Sequence, residues 1–210
     1  MIKSILVLES PWDTESLRSM SVWPFVSEFC QIVGIEPLFR TFHDSASLSH
    51  WVDVYHNEHQ ASSKLLYIAA HGHRSRLSAL TAVNHSTVAD ILKRAKSVEY
   101  VHFGSCSFGN EESLRRLMKN ARHVRWIAGY GTADISWVES TLFDILFWHR
   151  VLVRDDDHKY KHQTTMMTEL FQNNPLAKDM GFTVCYRRGR TVCTLNSTNC
   201  VVDDRERSAA

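Results

Sequence analysis

The 210-residue sequence predicts an α/β fold in which helices cover both faces of a mostly parallel sheet. Apolar, strand-like runs alternate along the chain with segments of helical periodicity, which is typical of repeated βαβ units. Runs such as LLYIAA at 65–70 do not alternate with polar residues, as expected for strands that are buried on both faces. The length suits one domain with a single core, and we assign residues 1–200 to that domain.

The strands and helices of the first three quarters of the chain are predicted from these patterns. The strands are expected at 3–9, 36–42, 64–70, 99–104 and 124–130, and the helices at about 14–33, 45–57, 87–97, 111–120 and 136–152. Asn110 and the pair Ser86-Thr87 are expected to cap two of these helices. Pro24 predicts either a kink in the first helix or a late start.

The C-terminal quarter follows a different pattern. RDDDHKYKHQ at 154–163 predicts an exposed loop, and TTMMTELFQN at 164–173 predicts a short helix. FTVCYRRGRTVCTLN at 182–196 predicts a hairpin that turns at Arg188-Gly189. The charged end of the chain predicts a disordered tail over residues 201–210.

Composition gives no global signal for a nucleic acid, a membrane or an acidic partner. Lys plus Arg number 24 against 23 Asp plus Glu, so the net charge is +1. No apolar run reaches the roughly 18 residues of a membrane span, and the N-terminal apolar stretch is short for a secretion signal. No phosphate-binding glycine motif is present. We therefore expect a cytoplasmic protein without a cofactor, a nucleic-acid partner or a membrane partner.

The cysteines do not form a disulfide framework or a zinc motif. They are odd in number and include no CxxC pair: Cys30, Cys106, Cys185, Cys193 and Cys200. Cys185 and Cys193 flank RRGR and are expected to be half-buried structural thiols rather than a bridge, while Cys30 is expected in the core. His71 and His73 with Cys106 lack a fourth ligand, so no metal site is expected.

Chemically capable side chains stand at the ends of strands that we expect to be neighbours. His71 follows the third strand, Cys106 follows the fourth, Asp134 follows the fifth, and Glu9 closes the first. Ligands and catalytic groups of open parallel sheets collect outside the carboxyl ends of the strands. The sequence therefore predicts that these four residues lie at one rim of the sheet.

His71 and Cys106 are a candidate catalytic pair. A thiol is mostly protonated at neutral pH, and a histidine on the adjacent strand end can accept its proton and later pass it to a leaving amine. Gly72 permits close approach of the backbone, and its N–H with that of Cys106 could form an oxyanion hole. Taken singly, a cysteine after a strand is usually a small buried residue, and a histidine near a strand end is more often a satisfied polar group. It is their joint placement beside glycines, at the ends of successive strands, that makes a catalytic pair as plausible as the structural alternative.

Two motifs, YIAAHGH at 67–73 and VHFGSCSFG at 101–109, resemble those of the caspase-like (clan CD) cysteine peptidases, which include caspases, metacaspases, separases, gingipains and CHAT domains. Their spacing, 106 − 71 = 35 residues, fits one loop, one helix and one strand. IAGYGTADISWVESTLFDILFW at 127–148 is similar to the segment after the cysteine in CHAT-type domains. With LVLESPWD at 6–13, the chain resembles short bacterial caspase-like proteins over about residues 1–153.

The resemblance implies a caspase-like three-layer α/β/α sandwich with a C-terminal hairpin, and a cysteine endopeptidase activity. It makes Cys106 the nucleophile, His71 the general base, and Gly72 with Cys106 the oxyanion hole. Asp134 lies at the position where relatives that cleave after basic residues have an acidic residue that determines substrate specificity. With Glu9 it is expected to line a pocket for Arg or Lys at P1, the residue before the cleaved bond. The alternative is that Asp134 caps the helix that starts near Ser136.

The sequence also departs from the family pattern. GSCSFG is not the caspase pentapeptide, and an acidic rim does not suit a preference for aspartate. Many bacterial relatives are fused or bound to a partner domain, so an activating protein partner is considered beside a protein or peptide substrate. The rival interpretation is a catalytically silent caspase-like fold that acts as a protein interaction module. The presence of both His71 and Cys106 favours the enzyme.

Overall fold

The structure, a computed structural model, describes residues 2–11, 20–58, 64–73, 75–132, 135–153 and 161–196. Ten strands are formed within these residues, seven of them in one large sheet. They are β1 (Ser4–Glu9), β2 (Glu36–Thr41), β3 (Lys64–Ala69), β4 (Gly72–His73), β5 (Arg76–Leu77), β6 (Val83–Asn84), β7 (Val98–Gly104), β8 (Trp126–Tyr130), β9 (Phe182–Arg188) and β10 (Thr191–Asn196).

Helices cover both faces of the large sheet. They are α1 (Trp23–Val33), α2 (Ser45–Glu58), α3 (His85–Arg94), α4 (Glu111–Asn120), α5 (Trp137–Trp148), α6 (Lys161–Asn173) and α7 (Pro175–Asp179), and a π-helical stretch at His149–Val153 continues α5. Among the described residues, no helix combines the length and apolarity that crossing a bilayer requires.

Alternate residues of each central strand enter two separate cores. Ile5 and Val7 of β1 pack with the apolar residues of α1, α5, α6 and α7, whereas Leu6 and Leu8 pack with those of α2, α3 and α4. This division follows from the two-residue period of a strand, since both faces of the sheet carry apolar side chains. The predicted three-layer α/β/α sandwich is confirmed.

The strand order of the large sheet is β10-β9-β8-β7-β3-β1-β2. The five strands from β8 to β2 are parallel, and β9 and β10 add an antiparallel hairpin at one edge. Strand β3 pairs with β7, and Ala69 lies opposite Gly104 at their carboxyl ends. The strands that lead to His71 and Cys106 are therefore neighbours, as predicted.

Of the two predicted helix caps, one is confirmed and the other is wrong. Asn110 caps α4 and accepts a hydrogen bond from the Ser113 N–H at 3.0 Å. Helix α3 begins two residues earlier than predicted, because Asn84 is its cap. The Asn84 side-chain oxygen accepts from the hydroxyl of Ser86 and from the N–H and hydroxyl of Thr87, so the predicted caps are themselves partners of this residue.

Helix α1 has the late start that Pro24 allowed. The helix begins at Trp23, so the proline lies in its first turn. Proline is tolerated there because a backbone N–H in the first turn has no acceptor within the helix. Residues 14–19, which were predicted to begin this helix, lie outside the described residues.

The C-terminal hairpin forms as predicted and separates its two cysteines. Gly189 has φ 62° at the turn, which a glycine adopts without strain. Cys185 faces Thr194 across the hairpin, and Cys193 faces Tyr186, so the two thiols do not oppose each other. Cys30 is buried in α1, as predicted. Residues 154–160, Cys200 and the tail over 201–210 lie outside the described residues.

Candidate active site

His71 and Cys106 line the same cleft at the carboxyl ends of β3, β7 and β8. The cleft has a volume of about 60 Å³, and its other described walls are largely aromatic and apolar: Met20, Gly104, Ser105, Tyr130, Ile135, Trp137 and Ser140. His71 is exposed and Cys106 is half-buried. A larger cleft of about 400 Å³ between α3 and α4 contains no cysteine among its lining residues, so size alone does not identify the reactive region.

The backbone after His71 packs directly on the backbone of Cys106. A Cβ placed on Gly72 would lie 2.1 Å from the Cys106 carbonyl oxygen and 3.2 Å from the Ser105 Cβ. Only glycine permits this approach. The small sheet formed by β4, β5 and β6, which the sequence did not predict, holds this segment, and the Ser78 N–H donates to the His71 carbonyl at 2.6 Å.

The loop that carries Cys106 is fixed by main-chain hydrogen bonds. The Ser107 N–H donates to the Thr132 carbonyl at 2.8 Å, and the Phe108 N–H donates to the Cys106 carbonyl at 2.6 Å. Ser107 has φ 57°, and it is the one non-glycine residue in the described part of the chain with a left-handed backbone. The Cys106 N–H has no main-chain acceptor among the described residues.

A buried carboxylate lies beneath the cleft, and sequence reasoning missed it. Tyr67 donates to Asp144 Oδ2 at 2.5 Å, and Tyr130 donates to Asp144 Oδ1. His102 Nε2 lies 2.8 Å from the same Oδ1, although the angle there is not that of a hydrogen bond. Burial, and then the Asp144 charge, raise the pKa values of Tyr67 and Tyr130 well above the usual value, so both phenols stay protonated as donors.

The indole of Trp148 fixes the tautomer of His102. Its Nε1–H, which can only donate, bonds to His102 Nδ1 at 2.9 Å, so the imidazole proton is on Nε2. His102 is fully buried and packs within the sheet rather than at the rim. We call Tyr67, His102, Tyr130, Asp144 and Trp148 the Asp144 network. It ties β3, β7 and β8 to α5 directly under the cleft.

Glu9 lies at the end of β1, but its carboxylate is engaged with the start of α1. It accepts hydrogen bonds from the Ser21 hydroxyl at 2.5 Å and from the Val22 N–H at 2.9 Å. Glu9 is 4 % exposed and is not among the residues that line the cleft. Its predicted contact with a substrate therefore has no support in this geometry.

Asp134 lies outside the described residues, so its predicted place in a specificity pocket stays a prediction. Among the described residues, Ser136 is the N-cap of α5, and its side chain accepts from the Glu139 N–H. The alternative role of Asp134 as a cap likewise stays a prediction. Across the described ranges, no three His, Cys, Asp or Glu side chains are grouped as metal ligands would be.

Comparisons with known proteins agree with this architecture. No protein-family model and no curated protein matches the sequence. Among solved structures, caspase-1 from Spodoptera frugiperda is similar with a TM-score of 0.54 and 13% identity, over 93% of this chain and 86% of that chain. A secreted C11 cysteine protease from Bacteroides thetaiotaomicron is similar with a TM-score of 0.52 and 8% identity, over 95% of this chain and 67% of that one. At these identities the likeness concerns the fold alone, and the chain has a caspase-like fold.

Proposed function

We propose that the protein is a cysteine endopeptidase in which His71 and Cys106 form the catalytic dyad. The observation that carries the proposal is that both side chains line one cleft at the carboxyl ends of adjacent parallel strands. The contact of Gly72 with the Cys106 backbone supports it, because this contact fixes the two segments relative to each other. Two cysteine proteases share the fold, which makes this chemistry a natural candidate.

The proposed reaction is acyl transfer through a thioester. Cys106 Sγ attacks the peptide carbonyl carbon while its proton passes to His71, and a C–S bond forms. The C–N bond then breaks, and the amine leaves with the proton from His71. Water, deprotonated by the same imidazole, hydrolyses the thioester and returns the thiol.

An oxyanion hole formed by the N–H groups of Gly72 and Cys106 is part of the proposal. Each tetrahedral intermediate carries a negative oxygen that needs two aligned donors. The Cys106 N–H, which has no main-chain acceptor among the described residues, and the position of Gly72 against the same loop support this assignment. The left-handed Ser107 that follows is in keeping with a loop held in a strained shape for function.

We further propose that the P1 residue is Arg or Lys. The described walls of the cleft include Tyr130 and Trp137, whose ring faces attract cations. The buried Asp144 lies behind Tyr130 and adds a negative charge on this side. Asp134 precedes Ile135, which lines the cleft, and remains the candidate for a direct carboxylate partner.

The proposed setting is the cytoplasm, with a protein substrate and an activating protein partner. The described cysteines, Cys30, Cys106, Cys185 and Cys193, are free thiols, which suits a reducing compartment. A partner would act by ordering the loops around the cleft.

The test is hydrolysis of fluorogenic peptides that differ only at P1, with Arg, Lys, Asp or Leu. We expect cleavage of the Arg and Lys peptides and loss of at least about 1,000-fold in rate in Cys106→Ala and in His71→Ala. A preference for Asp or Leu would overturn the basic P1 assignment. Equal activity in the wild type and Cys106→Ala would overturn the dyad, and no cleavage with any peptide would favour the protein interaction module.

A further inference from the structure

The exposed large apolar side chains are grouped on one side of the molecule. Within the described part of the chain they are Met20, Phe25, Ile32, Val138, Leu142 and Leu80. The first five lie on, or just before, α1 and α5, and these two helices are neighbours that meet where Phe25 packs on Trp137. Leu80 lies elsewhere, in the loop between β5 and β6. Soluble monomers rarely expose apolar side chains in a group, so this side of the molecule indicates an interaction surface.

Helix α5 is apolar on its outer face as well as on its inner face. The inner face buries Phe143, Phe147 and Trp148 in the core. On the outer face, Val138 is 51 % exposed and Leu142 is 54 % exposed. A helix that is apolar all round is normally covered on every side. The outer face of α5 therefore lacks the cover that its sequence calls for.

The outer face of α5 also carries an ordered row of residues. Glu139, Leu142, Leu146 and Arg150 follow one another at intervals of three and four residues, so they lie in one stripe along the helix and its π-helical continuation. We call these four residues the α5 stripe. Glu139 and Arg150, at its two ends, are exposed, and neither side chain belongs to an ion pair within the described ranges. The stripe thus has an unpaired acid at one end, an unpaired base at the other and two leucines between them.

The α5 stripe is complementary to itself when two copies of the helix pack antiparallel. Glu139 and Arg150 lie about equally far from the middle of the stripe, and so do Leu142 and Leu146. A two-fold rotation about that middle would place Glu139 of each copy opposite Arg150 of the other, and Leu142 opposite Leu146. Leu146 lines a cleft of about 240 Å³ together with Met166 and other residues of α6. This cleft offers room for the exposed Leu142 side chain of the second copy.

We propose that a second copy of this chain covers the outer face of α5, in a two-fold symmetric dimer whose α5 helices are antiparallel. A two-fold interface uses the same patch on both copies, so it requires a surface that complements itself. The leucines would supply apolar burial, and the two charge pairs would set the register. Because Trp137 and Ser140 of α5 line the candidate active-site cleft, the dimer would hold one wall of each cleft. The inference does not depend on peptidase activity.

Charge reversal tests the predicted pairing directly. Sedimentation velocity of the full chain at about 1 to 100 μM should show a dimer with a micromolar Kd, as expected for an interface of modest size. Glu139→Arg and Arg150→Glu should each weaken the dimer at least about tenfold, because like charges then face each other. The double variant Glu139→Arg/Arg150→Glu should return to within about threefold of the wild-type Kd. An equimolar mixture of the two single variants should also dimerise, because opposite charges meet again in the mixed dimer.

Glu112 and Arg116 of α4 provide the matched control. Both are exposed, Glu112 lies in the first turn of α4 as Glu139 lies in the first turn of α5, and α4 covers the opposite face of the sheet. Glu112→Arg therefore loses the same favourable position at a helix N-terminus as Glu139→Arg does. We expect Glu112→Arg and Arg116→Glu to dimerise with the wild-type Kd.

A second pair of variants tests the apolar contact. Leu142→Gln should weaken the dimer at least about tenfold, whereas Leu80→Gln should leave its Kd unchanged, because Leu80 is exposed outside the α1 and α5 side of the molecule. A wild type that stays monomeric at about 100 μM would overturn the inference. So would equal effects of Leu142→Gln and Leu80→Gln, or a double charge reversal that does not restore the dimer. Peptide hydrolysis, present or absent, changes none of these outcomes, so the inference and the peptidase proposal can fail separately.

Discussion

Substitution of Gly72 by alanine tests the backbone contact that fixes the His71 segment relative to the Cys106 loop. The new Cβ would lie 2.1 Å from the Cys106 carbonyl oxygen, whereas real Cβ atoms keep at least 3.0 Å, so the two segments must separate by at least 3.0 − 2.1 = 0.9 Å. The atom in the way belongs to the main chain, so no side-chain rotation relieves the overlap. A displacement of about 1 Å in a catalytic group costs about 100-fold in rate, or about 2.7 kcal/mol of transition-state stabilisation.

The assay is kcat/KM on the best peptide substrate, with the melting temperature measured on the same preparations. Gly34→Ala is the control, because Gly34 has φ 70° at the end of α1 with open space around it. This variant incurs backbone strain of about 1 kcal/mol without a displaced neighbour, so it should lose stability and keep its kinetics. Gly72→Ala within about 3-fold of the wild-type kcat/KM would refute the argument, as would an equal loss in Gly34→Ala.

Three further predictions concern buried groups. Asp144→Asn removes the charge that two phenols and His102 surround, and should lower the free energy of unfolding in urea by about 3 kcal/mol; a loss under about 0.5 kcal/mol would contradict the account of the network. Burial lowers the pKa of the His85 imidazole below its usual 6.5 in the folded protein. The contribution of His85 to stability is therefore complete above pH 6.5 and is lost as the pH falls from 6.5 through the pKa of the folded state. Below pH 6.5 the free energy of unfolding of the wild type should therefore fall by up to about 1.4 kcal/mol per pH unit more steeply than that of His85→Gln. Equal slopes in the two proteins would show that His85 is not responsible. Burial raises the pKa of Cys30 to about 12 and of Cys185 to about 11, so iodoacetamide at pH 7.5 should label both only after unfolding, as read by peptide mapping; rapid labelling in the folded protein would contradict their burial.

The sequence predicted those parts of the site that follow from strand geometry. Apolar runs of the right length indicated β3 and β7, and the rule for carboxyl ends brought His71 and Cys106 to one rim. Cap residues marked the start of α4 in the same way, since an N-cap acts on the helix that directly follows it.

The Asp144 network could not be predicted, because its members are distant in sequence. Tyr67 and Asp144 are 77 positions apart, and each belongs to an apolar segment whose pattern only indicates burial. The available signal was a single carboxylate within the apolar run TLFDILFW at 141–148. A buried acid requires partners, but local sequence does not reveal which residues supply them.

Glu9 shows the same limit at the rim itself. Its position at the end of β1 was predicted, but its hydrogen bonds to Ser21 and Val22 depend on how the following segment returns to the sheet. The small sheet of β4, β5 and β6 was also missed, because strands of two residues are too short to show a period.

The most direct test of the proposed dyad is intact-protein mass spectrometry after incubation with an acyloxymethyl ketone that carries arginine at P1. An otherwise identical P1-aspartate probe and the variants Cys106→Ala and His71→Ala are run beside it. The account predicts one adduct on Cys106 with the arginine probe, none in Cys106→Ala, and labelling slowed at least about 100-fold in His71→Ala. Labelling of other cysteines in place of Cys106, or equal labelling with and without His71, would contradict it.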